Sequence, residues 1–360
     1  MPAITNPATS TILVTGSNGF IASWIVGDLL QAGYNVRAAV RTEERGVPLK
    51  KEYKQYSDEG KLKILSVGDM TTPGAWDKAV QDVEGIIHAA AAVHLDAKTP
   101  EEMIEPAVKG ILGILESIQK YGNKVQRFVY TSTCGTIKGQ ASTPLTLSEE
   151  DWNEQVVKNC EELGEKAIPG DMYCASKTLA EQELRKWHNA RKNELNWDIV
   201  SLLPPWVFGP VKHHVSALTS LNSSSLFWYY ATILGNYMST IPPFDNVNPL
   251  SVPSHGWVDV RDVARGHTLA LSVPAAGGER ICLLRGPFIW QDANDAVNAI
   301  HPSPWTSHVE PFPKGIPDGE RVYNITWNTT KAKDILGMEF RTLEETAKDI
   351  LEDYEAHGWK

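Results

Sequence analysis

The sequence predicts an α/β protein: a doubly wound parallel sheet with helices on both faces, followed by a smaller C-terminal α+β region. Three observations carry this. Short β-branched runs alternate with longer helical stretches over the first 200 residues. A glycine-rich turn separates the first run from the first helical stretch. Past residue 203 the alternation gives way to Pro- and Gly-rich sequence, and seven of the twelve tryptophans lie beyond residue 205.

Taken in order, the expected strands are residues 11–15, 35–40, 61–67, 85–89, 126–131 and 198–203. A helix follows the glycine turn to about Ala32. Residues 101–121 place Ile104, Val108, Ile111, Leu115 and Ile118 at steps of three and four, the period of an amphipathic helix. Residues 171–193 do the same with Met172, Ser176, Leu179, Glu183 and Trp187 on one face, and Tyr173, Lys177, Ala180 and Leu184 on the next. A strand-then-helix pattern returns at 252–273. The expected division is a nucleotide-binding domain of residues 1–205 plus a returning segment 252–274, with 206–251 and 275–360 shaping a substrate-binding region.

With 360 residues, the chain is long enough to bury a sizeable core without disulfides or metals. A net charge of −10 argues against nucleic acid or an anionic membrane as a general partner. The four cysteines, Cys134, Cys160, Cys174 and Cys282, form no C-x-x-C pair, so reduced thiols in a cytoplasmic protein are expected. The first ten residues lack the pattern of a signal peptide, and no window approaches 18 uncharged apolar residues. His88 and His94, or His213 with His214, do not have metal-ligand spacing, so no metal is expected.

The turn Gly16-Ser17-Asn18-Gly19-Phe20-Ile21-Ala22 has the spacing G-x-x-G-x-x-A between a strand and a helix. Gly16 permits the tight turn, Gly19 lets the backbone approach a diphosphate, and the helix N-terminus presents free N–H groups. Ala22 replaces a third glycine where the helix must sit close to the sheet. This is the signature of a Rossmann-type dinucleotide site. A carboxylate about 20 residues past the turn would select NAD. Here Arg41 stands 19 residues past Ala22, with Arg37 on the same strand, while Glu43 and Glu44 fall beyond the strand end. Two guanidinium groups favour a 2′-phosphate, hence NADP(H).

Tyr173 and Lys177 are four apart on a helix, where an ammonium would favour ionisation of the phenol. With 11 Tyr and 22 Lys, roughly 0.7 such pairs arise by chance, so the pair alone is uninformative. It gains weight from a strand that ends in Thr131-Ser132-Thr133, hydroxyls at the carboxyl end of the sheet able to meet a carbonyl oxygen.

Together these residues resemble the extended short-chain dehydrogenase/reductases. So do Pro204-Pro205-Trp206-Val207-Phe208-Gly209-Pro210 and the stretch Trp257 to Ala264. The run Val36 to Arg41 is similar to the branch of dihydroflavonol reductases, cinnamoyl-CoA reductases and fungal carbonyl or methylglyoxal reductases. The resemblance covers residue 11 to about 270. It implies that Tyr173 donates a proton to the carbonyl oxygen and that Lys177 bonds the nicotinamide ribose and lowers the Tyr173 pKa. The catalytic serine of the family falls on Thr133, with Ser132 the alternative. Gly16, Asn18, Gly19, Phe20 and Ile21 would hold the diphosphate, and Arg41 with Arg37 the 2′-phosphate. Asp69 and Met70 would flank the adenine. Ala89, Ala90, Ala91 and Thr131 would line the cofactor cleft, with Pro204, Trp206 and Val207 by the nicotinamide. Candidates for the substrate pocket are His94, Cys134, Thr136, Trp206, Phe208 and Trp228. The stretch Asp171-Met172-Tyr173-Cys174-Ala175-Ser176-Lys177 departs from the N-W-Y-C-Y-G-K common in the cinnamoyl-CoA branch.

The expected chemistry is NADPH-dependent reduction of an aldehyde or ketone by a monomer or homodimer. Two rivals remain. A nucleotide-sugar epimerase or dehydratase would share the fold, although dehydratases usually follow the threonine with Asp-Glu, and Cys134-Gly135 stands here. A non-catalytic NADP-binding redox sensor often loses the Tyr or the Lys, and both are present.

Overall fold

The structure is a computed structural model that describes residues 3–91, 97–137, 144–237, 249–250 and 255–359. β1 (Thr11–Thr15) leads through the glycine turn into α1 (Phe20–Gln31), then β2 (Asn35–Val40), α2 (Glu43–Glu52), α3 (Lys54–Asp58) and β3 (Leu62–Ser66). β4 (Gly85–His88), α4 (Pro100–Tyr121), β5 (Arg127–Thr131) and the short β6 (Leu145–Leu147) come next. They are followed by α5 (Glu154–Leu163), α6 (Pro169–Arg191), β7 (Asp198–Leu203), β8 (Trp206–Phe208) and α7 (Ser223–Thr232). The chain then forms β9 (His255–Asp259), α8 (Val260–Ser272), β10 (Arg280–Cys282), β11 (Gly286–Phe288) and α9 (Trp290–Asn298). It ends with β12 (Ile325–Trp327), α10 (Lys331–Asp334) and α11 (Leu343–Ala356).

Seven strands form one parallel sheet in the order β10-β7-β5-β4-β1-β2-β3. The winding direction reverses between β1 and β4, and the crevice outside the carboxyl ends of those strands is where such sheets bind ligands. Strand alternation divides the core between two faces. Phe128 and Tyr130 of β5 join Leu13, Ile86 and Ile114 on one face, where α4 packs on α6. Val129 joins Ile12, Val14 and Ile25 on the other, where α1 packs on α8. β7, buried along all six residues, is covered on both faces.

The returning segment extends further than expected. β10 pairs with Ser201–Leu203 of β7, so the parallel sheet takes in residues 280–282, beyond the anticipated boundary at 274. The remaining strands make two small sheets: β8 pairs with β9 in parallel and β11 with β9 antiparallel, while β6 pairs with β12. The late tryptophans largely build this region's core. Phe208 meets Trp228, Phe288 and Trp290 with ring centroids 4.9, 5.4 and 6.1 Å away. Among the described residues, no helix is long and apolar enough to cross a membrane.

Candidate functional site

The glycine turn is fixed by its own geometry. Gly16 has φ +65°, a left-handed backbone, and a Cβ there would stand 2.9 Å from the Ala90 Cα. The Ser17 hydroxyl donates to the Val14 carbonyl at 2.7 Å and its N–H to the Ala39 carbonyl at 3.1 Å, which pins the turn to β1 and β2. Gly19 is the N-cap of α1 and no side chain caps it. The first-turn N–H groups of α1 therefore face the crevice, as an anion-binding end requires. Ala22 is buried against the sheet, which accounts for a small residue at that position. Asn18 and Ile21 are partly buried at the turn, and the Phe20 ring lies 5.7 Å from that of His213.

At the far end of β2 the two arginines separate. The Arg41 side chain is 68% exposed, with Nη2 4.0 Å from the Asp69 carboxylate. Asp69 accepts the N–H and hydroxyl of Thr71, bonds that with Arg41 hold its carboxyl below the usual range. Arg37 is a correction to the expected anion site. It lies mid-strand, opposite Leu13, and donates to the carbonyls of Ala79 at 2.7 Å and of Gln81. Burial lowers its pKa against the pull of Asp82 and Glu84. Its hydrogen-bonding capacity is used in holding the 79–81 segment, so the 2′-phosphate reading rests on Arg41 alone.

Tyr173 and Lys177 meet in a cleft where β4 and β5 end. Met70, Ala90, Ala91, Tyr173 and Lys177, all expected in the site, line it. So do four residues that were not expected: His88, Ala107, Tyr130 and Ser176. Alternation along β5 was the available signal, because it sends Tyr130 toward α6 and Thr131 away. His88 is buried, its ring stacked on Phe128 and Tyr130, with Nδ1 3.1 Å from the Thr15 hydroxyl. Burial, helped by the Lys177 charge, lowers its pKa to about 3, so it is neutral at pH 7.

Lys177 donates to the Thr131 carbonyl at 2.7 Å and lies 4.5 Å from the Tyr130 ring centroid. Burial lowers its pKa to about 8, against the opposing charge of Glu181. The Tyr173 phenol lies close to the Thr133 hydroxyl, which itself accepts the Gly135 N–H at 3.2 Å. Burial pushes Tyr173 up to about 12, Cys174 adds to that, and the nearby Thr133 hydroxyl works against it. The expected lowering of the phenol by Lys177 is thus not seen. Desolvation outweighs it, and the ammonium is turned to a main-chain carbonyl.

The hydroxyl run sorts itself by partner. Ser132 donates to the buried Glu181 carboxylate at 2.5 Å, which engages its one hydroxyl proton. Thr131 does not face the cleft with its side chain: it is 2.8 Å from His267 Nε2. His267 Nδ1 is 2.7 Å from the Val263 carbonyl and must carry the ring proton, so Thr131 donates to Nε2.

The expected pocket residues are engaged in the fold as follows. Cys134 is buried and donates to the Leu203 carbonyl at 3.1 Å. Thr136 is fully buried between Glu181 and Arg280. Phe208 and Trp228 are core. Trp206 is partly exposed, edge-on to Phe227 and Trp290. The Pro204 carbonyl accepts the Cys134 N–H at 3.0 Å, and the buried Val207 takes the Ser224 hydroxyl on its carbonyl at 2.7 Å. Ala89 packs partly buried against the main core. His94 lies outside the described residues.

Comparison with known proteins extends the picture. A family model, the NAD dependent epimerase/dehydratase family, matches residues 12–283. The ketoreductase azaE of Aspergillus niger is 33% identical over 346 residues, which span 94% of this chain and 96% of that protein. Dihydroflavonol 4-reductase of Solanum lycopersicum is 31% identical over 349 residues, 96% of this chain and 82% of its own. Among solved structures, yeast methylglyoxal/isovaleraldehyde reductase complexed with NADPH superposes with a TM-score of 0.77 at 26% identity, covering 97% and 99% of the two chains.

Proposed function

The chain belongs to the NAD dependent epimerase/dehydratase family, and from that premise we propose that it reduces an aldehyde or ketone to an alcohol with NADPH, Tyr173 serving as proton donor. It is an oxidoreductase, and its cofactor is NADPH. The observation that carries the carbonyl-reductase reading is that Tyr173 and Lys177 line one cleft at the carboxyl ends of the strands next to the glycine turn, with the Thr133 hydroxyl close to the phenol.

The residues present fit the cofactor. The side-chain-free turn at Gly16 and Gly19 accepts a diphosphate, and the exposed guanidinium of Arg41 suits a 2′-phosphate. When bound, NADPH supplies hydride to the carbonyl carbon. Thr133 orients the carbonyl oxygen and polarises it by hydrogen bonding. Tyr173 is protonated at neutral pH, as a general acid must be. Lys177 offers a positive charge to stabilise the phenolate left after proton transfer. The dehydratase alternative loses its second acid–base pair, because Cys134 and Gly135 follow Thr133 and Cys134 is buried in the core.

The test is NADPH oxidation over aryl ketones, β-keto esters, diketones, aliphatic aldehydes and dihydroflavonols. On any accepted substrate, Tyr173→Phe should bind NADPH as the parent does and lose about 10²–10⁴ in kcat, the range for one general acid. Undiminished turnover in that variant rules out Tyr173 as the acid.

A further inference from the structure

Beneath the acid–base residues lies a buried charged cluster that this mechanism does not use. Glu181 is fully buried on α6, one turn beyond Lys177. Its carboxylate accepts the Ser132 hydroxyl at 2.5 Å, the Thr136 hydroxyl at 3.3 Å, Arg280 Nε at 2.9 Å and Arg185 Nε at 3.5 Å. Arg280, on the edge strand β10, also donates to the Thr136 hydroxyl and to the carbonyls of Glu149 and Asp151, and its guanidinium lies 3.7 Å from the Trp152 ring centroid.

Such a cluster is a poor way to stabilise a core. Desolvating the charges costs about what their attraction returns, and apolar residues of equal volume serve stability as well or better. What distinguishes this one is its position. Glu181 holds the residue immediately before Thr133, and it stands four residues from Lys177 on the same helix, where side chains are neighbours.

Building on the carbonyl-reductase reading, we infer that Glu181 is a positioning residue of the reaction: it anchors Ser132 so that Thr133 faces Tyr173, and its carboxylate is the counter-charge of Lys177. The groups around Lys177 leave Glu181 that second role. From β5 it meets the Tyr130 ring and the Thr131 carbonyl, the neutral His88 of β4 and Tyr173 of its own helix line the same cleft, and Glu181 stands one helical turn further on. Glu181 opposes the lowering of Lys177 by burial. Glu181 itself is kept ionised: burial would raise it, but Arg280, the Ser132 bond and Arg185 bring it below the usual carboxylate range. Tyr130, which also faces it, is held neutral by burial and by the Glu181 charge.

The test follows Lys177 directly. In protein labelled with ε-¹³C lysine, the resonance lost in Lys177→Met belongs to Lys177. Its titration midpoint should fall by about one pH unit or more in Glu181→Gln, the effect of losing an opposite charge one helical turn away. An unchanged midpoint overturns the counter-charge. The high-pH limb of kcat should move down by the same amount, while the NADPH Kd stays within about twofold. Ser132→Ala keeps the charge and removes the anchor. It should leave the Lys177 midpoint in place and lower kcat about tenfold or more at constant NADPH KM. Full kcat in Ser132→Ala overturns the positioning role, and that variant decides if Glu181→Gln does not fold. A shifted Lys177 midpoint in a protein that reduces no carbonyl would retain the charge pairing and reject the proposed function.

Discussion

At the level of single residues, chemistry depended on which of several similar side chains was already engaged. Two arginines suited a 2′-phosphate in the sequence, but Arg37 holds carbonyls of the 79–81 segment and Arg41 does not. Arg41→Ala should therefore raise the KM for NADPH by about 10- to 100-fold, the worth of a charge-assisted bond, and leave that for NADH nearly unchanged. Equal effects on the two cofactors would remove Arg41 from the 2′-phosphate role. Three adjacent hydroxyls suited a carbonyl oxygen, and each stands against a different side chain: His267 bonds Thr131, Glu181 bonds Ser132, and the Tyr173 phenol lies near Thr133. No local pattern distinguishes them, because those partners come from residues 40 or more positions away in the chain.

At the level of elements, the strand–turn–helix unit was legible because its requirements are local. Tight-turn geometry, a missing Cβ and an uncapped helix end all lie within Gly16 to Ala22. Gly16→Ala should cost about 1–2 kcal/mol from the left-handed backbone alone, with a further penalty from the contact at the Ala90 Cα. The denaturation midpoint should fall and NADPH binding should weaken at least tenfold. Parental NADPH affinity in a folded Gly16→Ala protein would show that the turn does not hold the diphosphate. The helix carrying Tyr173 and Lys177 was equally legible from its period, and its ends, Pro169 and Arg191, fall within two residues of those expected. β10 was not. Three residues, Arg280-Ile281-Cys282, carry no periodicity, and they become a strand only because the edge of β7 offers a ladder.

Across the whole molecule, the acidic net charge of −10 coexists with a site for an anionic cofactor, because binding needs only a helix end and one exposed arginine. The packed interior sets the pH dependence of stability. Burial lowers His88 to about 3, and His213 and His267 to about 4, all below the ordinary value near 6.5. In the unfolded chain these imidazoles protonate as pH falls below about 6.5, whereas in the native protein they remain neutral to about pH 4. The unfolded state therefore binds more protons in that window, and stability rises with pH across it. Near pH 5, unfolding should take up about three protons through these groups, a slope of at most about 4 kcal/mol per pH unit. Calorimetric Tm measured from pH 7 to pH 4.5 checks this; a flat Tm between pH 6.5 and 5 would mean that the three imidazoles are not buried neutral.

By itself the sequence determined the parallel sheet, the dinucleotide turn, the Tyr173–Lys177 helix and the hydroxyl run, because each is written in short-range periodicity or in a residue type that one backbone geometry demands. Only the tertiary structure decided which hydroxyl lies near the phenol, which arginine stays exposed, and which aromatics are core. Phe208 is buried with its ring against Trp228 of α7, Phe288 of β11 and Trp290 of α9, and with Trp228 it lines a concavity beside α11 rather than the cleft of Tyr173 and Lys177. Competition among chemically equivalent side chains is settled by the neighbours that packing brings from elsewhere in the chain, and a linear pattern does not contain those neighbours.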